Sequence, residues 1–209
     1  MRRGDTHTMN EPFAVPADFP QNSPIVIRPA SAADAEPIAR VRVDSWRETY
    51  RGMIPQAYLD AMKLEESRAL WEKVLTAGSK AVSICVAEHG AQIVGFASGN
   101  MLAQPKHGFD AELSAVYVRR EFQHAGIGRR LVSETAIALS QLNATGMIVW
   151  VIAGNKRARA FYERLGAKLV VEQAFQWDGM DLMEAGYGWR TLDTLVQSAA
   201  ALPPGHFMQ

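Results

Sequence analysis

The sequence predicts one α/β domain, a mixed sheet of about seven strands carrying about four helices. Three observations lead there. Apolar periodicity along the chain gives the order β, α, α, β, β, β, α, β, α, β, β, which is neither a uniform βα alternation nor all strand. In the middle, a strand ending at Val118 is followed by a short loop, then Gly126, Gly128 and an amphipathic helix. Near the carboxyl end, two strands meet at Asp178-Gly179, a strong hairpin signal.

Length and composition fit this class. The chain has 209 residues, 48% hydrophobic and 21% charged, too apolar for a disordered polymer. A domain of roughly 150 residues or more buries about two-thirds of its unfolded surface, so it needs no covalent staples. Lys plus Arg is 22 and Asp plus Glu is 22. A zero net charge supplies no chain-wide field for nucleic acid or an anionic membrane, and neither partner is expected. The single cysteine, Cys85, permits no intramolecular disulfide and no cysteine-built zinc site. It lies in an apolar run and reads as a buried strand residue. No run of about 18 apolar residues exists to span a bilayer. The Arg2-Arg3 pair at the start is followed by no apolar block, so no secretory signal is expected, and the simplest location is cytoplasmic.

The elements follow in order. Residues 1–23 hold Pro12, Pro16 and Pro20 without periodicity and read as a tail. Residues 24–190 form the organised domain, and 191–209 form a C-terminal extension. Ile25 to Arg28 is a short strand. Asp34 is expected to cap a helix with Pro37 in its first turn, where Ile38, Val41, Ser45 and Trp46 recur at helical spacing. Pro55 opens a second helical stretch that Gly78 ends. Residues 81–87 and 92–100 make a hairpin, and 112–118 form a third strand after a Pro/His/Gly loop. The helix after Gly128 carries Leu131, Val132, Thr135 and Leu139 on one face. Residues 147–153 are a buried strand, 155–165 a helix stopped by Gly166, and 169–176 and 183–189 the last two strands.

The segment Gln123-His124-Ala125-Gly126-Ile127-Gly128 carries the most chemistry. Glycine lets a backbone turn tightly and approach a ligand without a Cβ in the way. The first N–H groups of a helix lack internal partners and sit at the positive end of its dipole. Together they suit an anion such as a pyrophosphate. Arg119, Arg120, Arg129 and Arg130 flank the turn. The dinucleotide fingerprint would need a third glycine and a P-loop would need Gly-Lys-Ser/Thr; neither is present.

Gln123-x-x-Gly126-x-Gly128 after the strand 113–118 resembles the acyl-CoA pyrophosphate loop of the GNAT N-acetyltransferase superfamily, the acyl-CoA N-acyltransferase fold. A second element agrees. Trp150-Val151 in a strand, then Asn155-x-x-Ala158-x-x-Phe161-Tyr162-x-x-x-Gly166, is similar to the strand and helix across the superfamily's cofactor cleft. The resemblance spans roughly residues 24–190. Ser45 to Gly52 also resembles the opening of a broad bacterial branch of these enzymes.

The resemblance implies a twisted, mostly antiparallel central sheet and acetyl-CoA as cosubstrate. It implies that Val116, Tyr117 and Val118 offer backbone groups to the pantetheine arm. Gln123, His124, Ala125, Gly126, Ile127, Gly128 and Arg129 would cradle the pyrophosphate, and Asn155 would bond the cofactor arm or orient the acyl group. His124-Ala125 replaces a commoner arginine-glycine pair, removing one phosphate cation but not the backbone cradle. Tyr162 matches the tyrosine proposed to protonate the leaving thiolate; its other reading is a core residue of an amphipathic helix. Glu112 is the first candidate base, its other reading being a solvated strand-end carboxylate.

The implied reaction is direct transfer of an acetyl group to a primary amine of a small molecule or peptide in a ternary complex. An alkyl ammonium has a pKa of about 10.4, so a base must remove a proton near neutrality. The alternatives are a CoA-binding module without turnover, or use of another acyl-CoA. Trp46, Tyr50, Tyr58, Trp71, Trp177 and Trp189, with Asp44, Glu48 and Asp178, are candidates for the acceptor side. Homodimers are frequent in the superfamily, commonly through the final strands, and the resemblance carries that option here. No histidine or carboxylate cluster has metal-ligand spacing, so no metal is expected.

Overall fold

The computed structural model describes residues 23–200, so the expected tail lies outside them except for Ser23, as do residues 201–209. Strand β1 (Ile25–Pro29) leads through a 3-10 turn (Ala32–Asp34) to α1 (Ala35–Thr49), α2 (Gln56–Ala61) and α3 (Leu64–Thr76). Strands β2 (Val82–His89), β3 (Gln92–Lys106) and β4 (Phe109–Val118) follow, then α4 (Ile127–Gln141), β5 (Met147–Ile152) and α5 (Lys156–Arg164). Strands β6 (Lys168–Trp177) and β7 (Met180–Trp189) and helix α6 (Asp193–Ala200) complete the domain. Among the described residues no helix is long and apolar enough to cross a membrane.

The seven strands form one sheet in the order β1-β2-β3-β4-β5-β7-β6. Every neighbouring pair is antiparallel except β4 with β5. That parallel pair is short: Ala111, Glu112 and Leu113 face Met147, Ile148 and Val149. Beyond Leu113 the two strands part. A bulge in β4 accompanies the parting, since Ser98 pairs with Ala115 while Gly99 pairs with Leu113, leaving Ser114 as the extra residue. The bulge reverses the alternation of side chains. Leu113, Val116 and Val118 pack towards α4, while Ala115 and Tyr117 pack towards α1 and α3.

Helices cover both faces. On one side Ile127, Leu131, Val132 and Leu139 of α4 are buried with Tyr162 of α5 and Trp189 of β7. Each such side chain contributes about 1.5–3 kcal/mol by leaving water. On the other side Ile38, Ala39 and Val41 of α1 meet Trp71 of α3 and Phe96 of β3. Cys85 is buried against α4, its Sγ 3.7 Å from the Leu131 carbonyl oxygen and the Thr135 hydroxyl. Burial pushes its thiol up to about 11, as an apolar strand site requires.

Four readings change. The stretch from Pro55 to Gly78 holds two helices, because Met62 and Lys63 are extended. Arg47 makes the break tolerable by donating to the carbonyls of Leu59 (3.2 Å) and Met62 (2.8 Å) at the end of α2. The expected loop between residues 100 and 112 is mostly strand. Its reversal is a two-residue turn at His107 (φ 52°) and Gly108 (φ 81°), with residues 102–105 out of register. A sixth helix, α6, lies against α4 and buries Leu192 and Leu195. Its eight residues are too short for a periodic signal to stand out.

The fourth concerns Asp34, which caps no N–H of α1 itself. Its carboxylate turns back to accept from the Ser31 N–H at 2.7 Å and hydroxyl at 3.0 Å. Both terminal nitrogens of Arg28 donate to it at 2.8 Å. The Arg28 guanidinium and these hydrogen bonds outweigh burial and hold its pKa down at about 2. A depressed folded-state pKa gives stability that is present above the ordinary carboxylate range and is lost as pH falls towards about 2. Asp34→Ala is expected to cost about 2 kcal/mol at neutral pH. The gap between wild type and variant, followed by urea unfolding, should shrink steadily as pH falls below the ordinary carboxylate range.

Candidate active site

The parting of β4 from β5 opens a cleft of about 350 Å³. Residues 114–118 of β4 form one wall and Val149, Trp150 and Val151 of β5 the other. The turn before α4 closes one end with Gln123, His124, Gly126, Gly128 and Arg129. Helix α5 contributes Asn155, Arg157, Ala158, Phe161, Tyr162 and Arg164, and α1 contributes Ser45, Thr49 and Tyr50. The two sequence motifs, about 30 residues apart in the chain, thus meet across one space. Beyond Leu113, the edge of β4 that faces β5 has no strand partner, so its outward backbone groups, apart from the Val118 carbonyl that Gln123 engages, are open to a ligand.

The turn is shaped for an anion. It reverses through left-handed backbone at His124 (φ 68°) and Gly126 (φ 77°). Gly126 is the N-cap of α4, and the first intrahelical bond there runs from the Arg130 N–H to the Gly126 carbonyl at 3.1 Å. The N–H groups of Ile127, Gly128 and Arg129 are therefore left over at the helix's positive end. Gly128 has a packing reason as well: a Cβ there would lie 3.2 Å from Phe161. Ala125 is exposed outside the cleft lining, and Ile127 is buried in the core beneath α4, so of these two only the backbone is placed to take part.

The positive charge is arranged differently from the sequence expectation. Of the four flanking arginines only Arg129 lines the cleft. Arg130 turns away and donates to the Ile25 carbonyl at 3.1 Å. Arg119 and Arg120 line a second cavity of about 270 Å³ with Asp44, Ser45, Arg47, Glu48 and Glu121. The cleft's other cations, Arg157 and Arg164, come from α5. Arg157 donates to the Gln123 side-chain oxygen at 2.5 Å and lies 3.1 Å from the His124 ring nitrogen. Gln123 in turn donates to the Val118 carbonyl at 2.8 Å, so it ties the end of β4 to α5 instead of presenting a free amide. Arg157 escaped the sequence reading because one arginine among several on a short helix carries no periodic mark.

Asn155 is buried and caps α5, its Oδ1 accepting from the Ala158 N–H at 3.0 Å. The donor end of its amide is what remains for a ligand. Tyr162 is only 7% exposed, and its hydroxyl makes no hydrogen bond among the described residues. Burial, reinforced by Tyr50, raises its pKa and keeps the phenol protonated. Ser45, also missed, lines the cleft with a buried hydroxyl that has no partner among the described residues.

Glu112 does not line the cleft itself; it stands where β4 and β5 begin to part. Burial raises its pKa, and the Lys106 ammonium and Trp150 indole N–H offset part of that rise. Trp46, Tyr50, Tyr58 and Trp177 form one aromatic cluster, with ring centroids 4.7–5.4 Å apart along its contacts. The Trp46 indole N–H donates to the Tyr117 hydroxyl at 2.8 Å, joining the cluster to β4. Trp71 and Trp189 lie in the core, and Asp44 and Glu48 line the second cavity.

Residues 43–167 match the Acetyltransferase (GNAT) family. The chain belongs to the GNAT acetyltransferase family. This acetyltransferase is 36% identical to Uncharacterized N-acetyltransferase YuaI of Bacillus subtilis, over 82% of its own length and 96% of the relative's. It is 27% identical to Spermidine N(1)-acetyltransferase of Thermoplasma acidophilum, covering 78% of this chain and 98% of that one. Among solved structures it is similar to the PaiA N-acetyltransferase of Thermoplasma acidophilum in complex with coenzyme A. That similarity has a TM-score of 0.61 and 25% identity, covering 77% of this chain and 97% of the other. The acetyltransferase is thus an acyltransferase that uses acetyl-CoA as cosubstrate.

The open cradle gives a direct test. No atom lies within 4 Å of the position a Cβ would take at Gly126, so the added β-carbon of Gly126→Val has room, while the φ of 77° is strained for it. A cost of about 1–3 kcal/mol is expected, leaving the domain folded. Acetyl-CoA affinity, measured by calorimetry, should fall at least about tenfold, a loss of about 1.4 kcal/mol in binding.

Proposed function

We propose that this enzyme transfers the acetyl group of acetyl-CoA directly to a primary amine, with both substrates bound at once. The observation that carries the proposal is the presence of a half-buried carboxyl and a buried phenol around the parted strands. Glu112 stands at their point of divergence, and Tyr162 lines the cleft with a hydroxyl that makes no hydrogen bond among the described residues. Among the described residues no activated nucleophile faces the cleft, which supports direct transfer. Cys85 is held as a protonated thiol against α4, and neither Ser45 nor Ser114, the serines of the cleft, has a histidine partner.

The roles follow from the chemistry. The edge of β4 and the donor end of Asn155 hold the amide-bearing arm of the cosubstrate, and a backbone N–H near Val116 polarises the thioester carbonyl. The N–H groups before and within the first turn of α4, with Arg129 and Arg157, hold the pyrophosphate. Glu112 takes a proton from the acceptor ammonium through water. Its raised pKa makes it a stronger base than an exposed glutamate. Tyr162 returns a proton to the departing thiolate. The acceptor enters from the face bearing the aromatic cluster of α1, α2 and the β6–β7 hairpin.

Calorimetric titration with acetyl-CoA should give saturable binding; none up to millimolar concentration would overturn the proposal. Glu112→Gln is expected to lower kcat/KM by about 10²–10⁴-fold. Because the Glu112 pKa is raised, wild-type kcat/KM should fall on the acid side through a pKa above the ordinary carboxylate range. That limb should be missing from the variant's profile. Tyr162→Phe should lower kcat and leave acetyl-CoA affinity unchanged.

A further inference from the structure

The β3–β4 hairpin brings its tip against Trp150, a residue of the cleft wall. Its turn at His107 and Gly108 sets the His107 ring edge-on to the Trp150 indole, with centroids 5.5 Å apart. The Lys106 ammonium lies over the same indole, 4.7 Å from the ring centroid. Trp150 is a wall of the cleft, and its backbone pairs with Gly186 of β7. The side chain of Lys106 is exposed and forms no ion pair within 4.0 Å among the described residues. Its two evident attractions are the indole face and the nearby carboxylate of Glu112, with Glu184 also acting on that carboxylate. A cation held by an aromatic wall beside a half-buried base is the arrangement an acceptor amine needs.

We propose that Lys106 is itself an acceptor: this chain acetylates the Nζ of its own Lys106 when no external amine displaces the hairpin tip. The inference rests on the catalytic reading above, including Glu112 as the base. The Lys106 ammonium gives one proton through water to Glu112. The freed lone pair forms the N–C bond, and the C–S bond of acetyl-CoA breaks. The thiolate takes the Tyr162 proton, and the second amine proton restores the phenol. The products are an N-acetylated Lys106, the free CoA thiol and the proton that Glu112 passes to water. Acetylation removes the charge, so the tip loses its hold on Trp150 and Glu112 loses its nearest counter-charge.

The test incubates the full-length protein with acetyl-CoA alone and follows it by intact mass and peptide mapping. The expected result is one acetyl group, on Lys106, appearing at a first-order rate that dilution does not change. Lys106→Arg should abolish the rapid phase, and Glu112→Gln should slow it by at least about tenfold. Lys63, Lys73, Lys80 and Lys168, all exposed, report the uncatalysed background. Acetylation of Lys106 no faster than of these lysines overturns the inference. A parallel amine panel, read by CoA release, separates the two levels. Turnover of an added amine, with Lys106 left unmodified when acetyl-CoA is supplied alone, overturns this inference alone; no transfer to any amine, with acetyl-CoA bound, overturns the catalytic reading as well.

Discussion

After Leu113, β4 loses β5 as its hydrogen-bonding neighbour, and the rest of the site follows from that loss. A backbone edge in a protein interior must find partners or meet water. Here it lines a cleft, so an extended ligand carrying amide groups can complete the ladder the sheet abandons. The bulge at Ser114 serves the same end. It reverses the side-chain alternation, so Val116 and Val118 pack into the core beneath α4 while Tyr117 faces α1. The strand is thereby anchored on both faces where its edge is open.

The anion cradle and the cleft are one construction. Helix α4 is fixed by its buried apolar face, and Gly126 starts it with a left-handed turn that leaves its first N–H groups at the cleft's end. Helix α5 supplies what a neutral chain needs locally. Arg157 reaches across to Gln123 and His124, and Gln123 reaches on to the Val118 carbonyl. The loop is therefore held by both walls of the cleft. A zero net charge does not prevent a small cluster of cations from facing one highly charged ligand.

Much of the fold was legible because its elements carry strong local signals. Asp178-Gly179 sits in the hairpin turn with positive φ at both residues, and Gly126 starts α4 as its spacing implied. The missed features lack such signals. Helix α6 is a short amphipathic helix of about two turns, visible only through the burial of Leu192 and Leu195. The break between α2 and α3 depends on Arg47, which lies on another helix. Charge placement was the least legible. Two arginine pairs flank the loop in sequence, but side-chain direction sends Arg130 to β1 and Arg119 and Arg120 to a second cavity.

The central claim is that the open edge of β4 and the start of α4 together seat acetyl-CoA. Backbone amide NMR during acetyl-CoA titration tests it most directly. The account predicts that the largest shifts fall on residues 116–118 and 126–129, with Arg157 and Asn155 following the same saturation curve. Shifts centred instead on Arg119, Arg120 and the second cavity, with residues 126–129 unmoved, would contradict it.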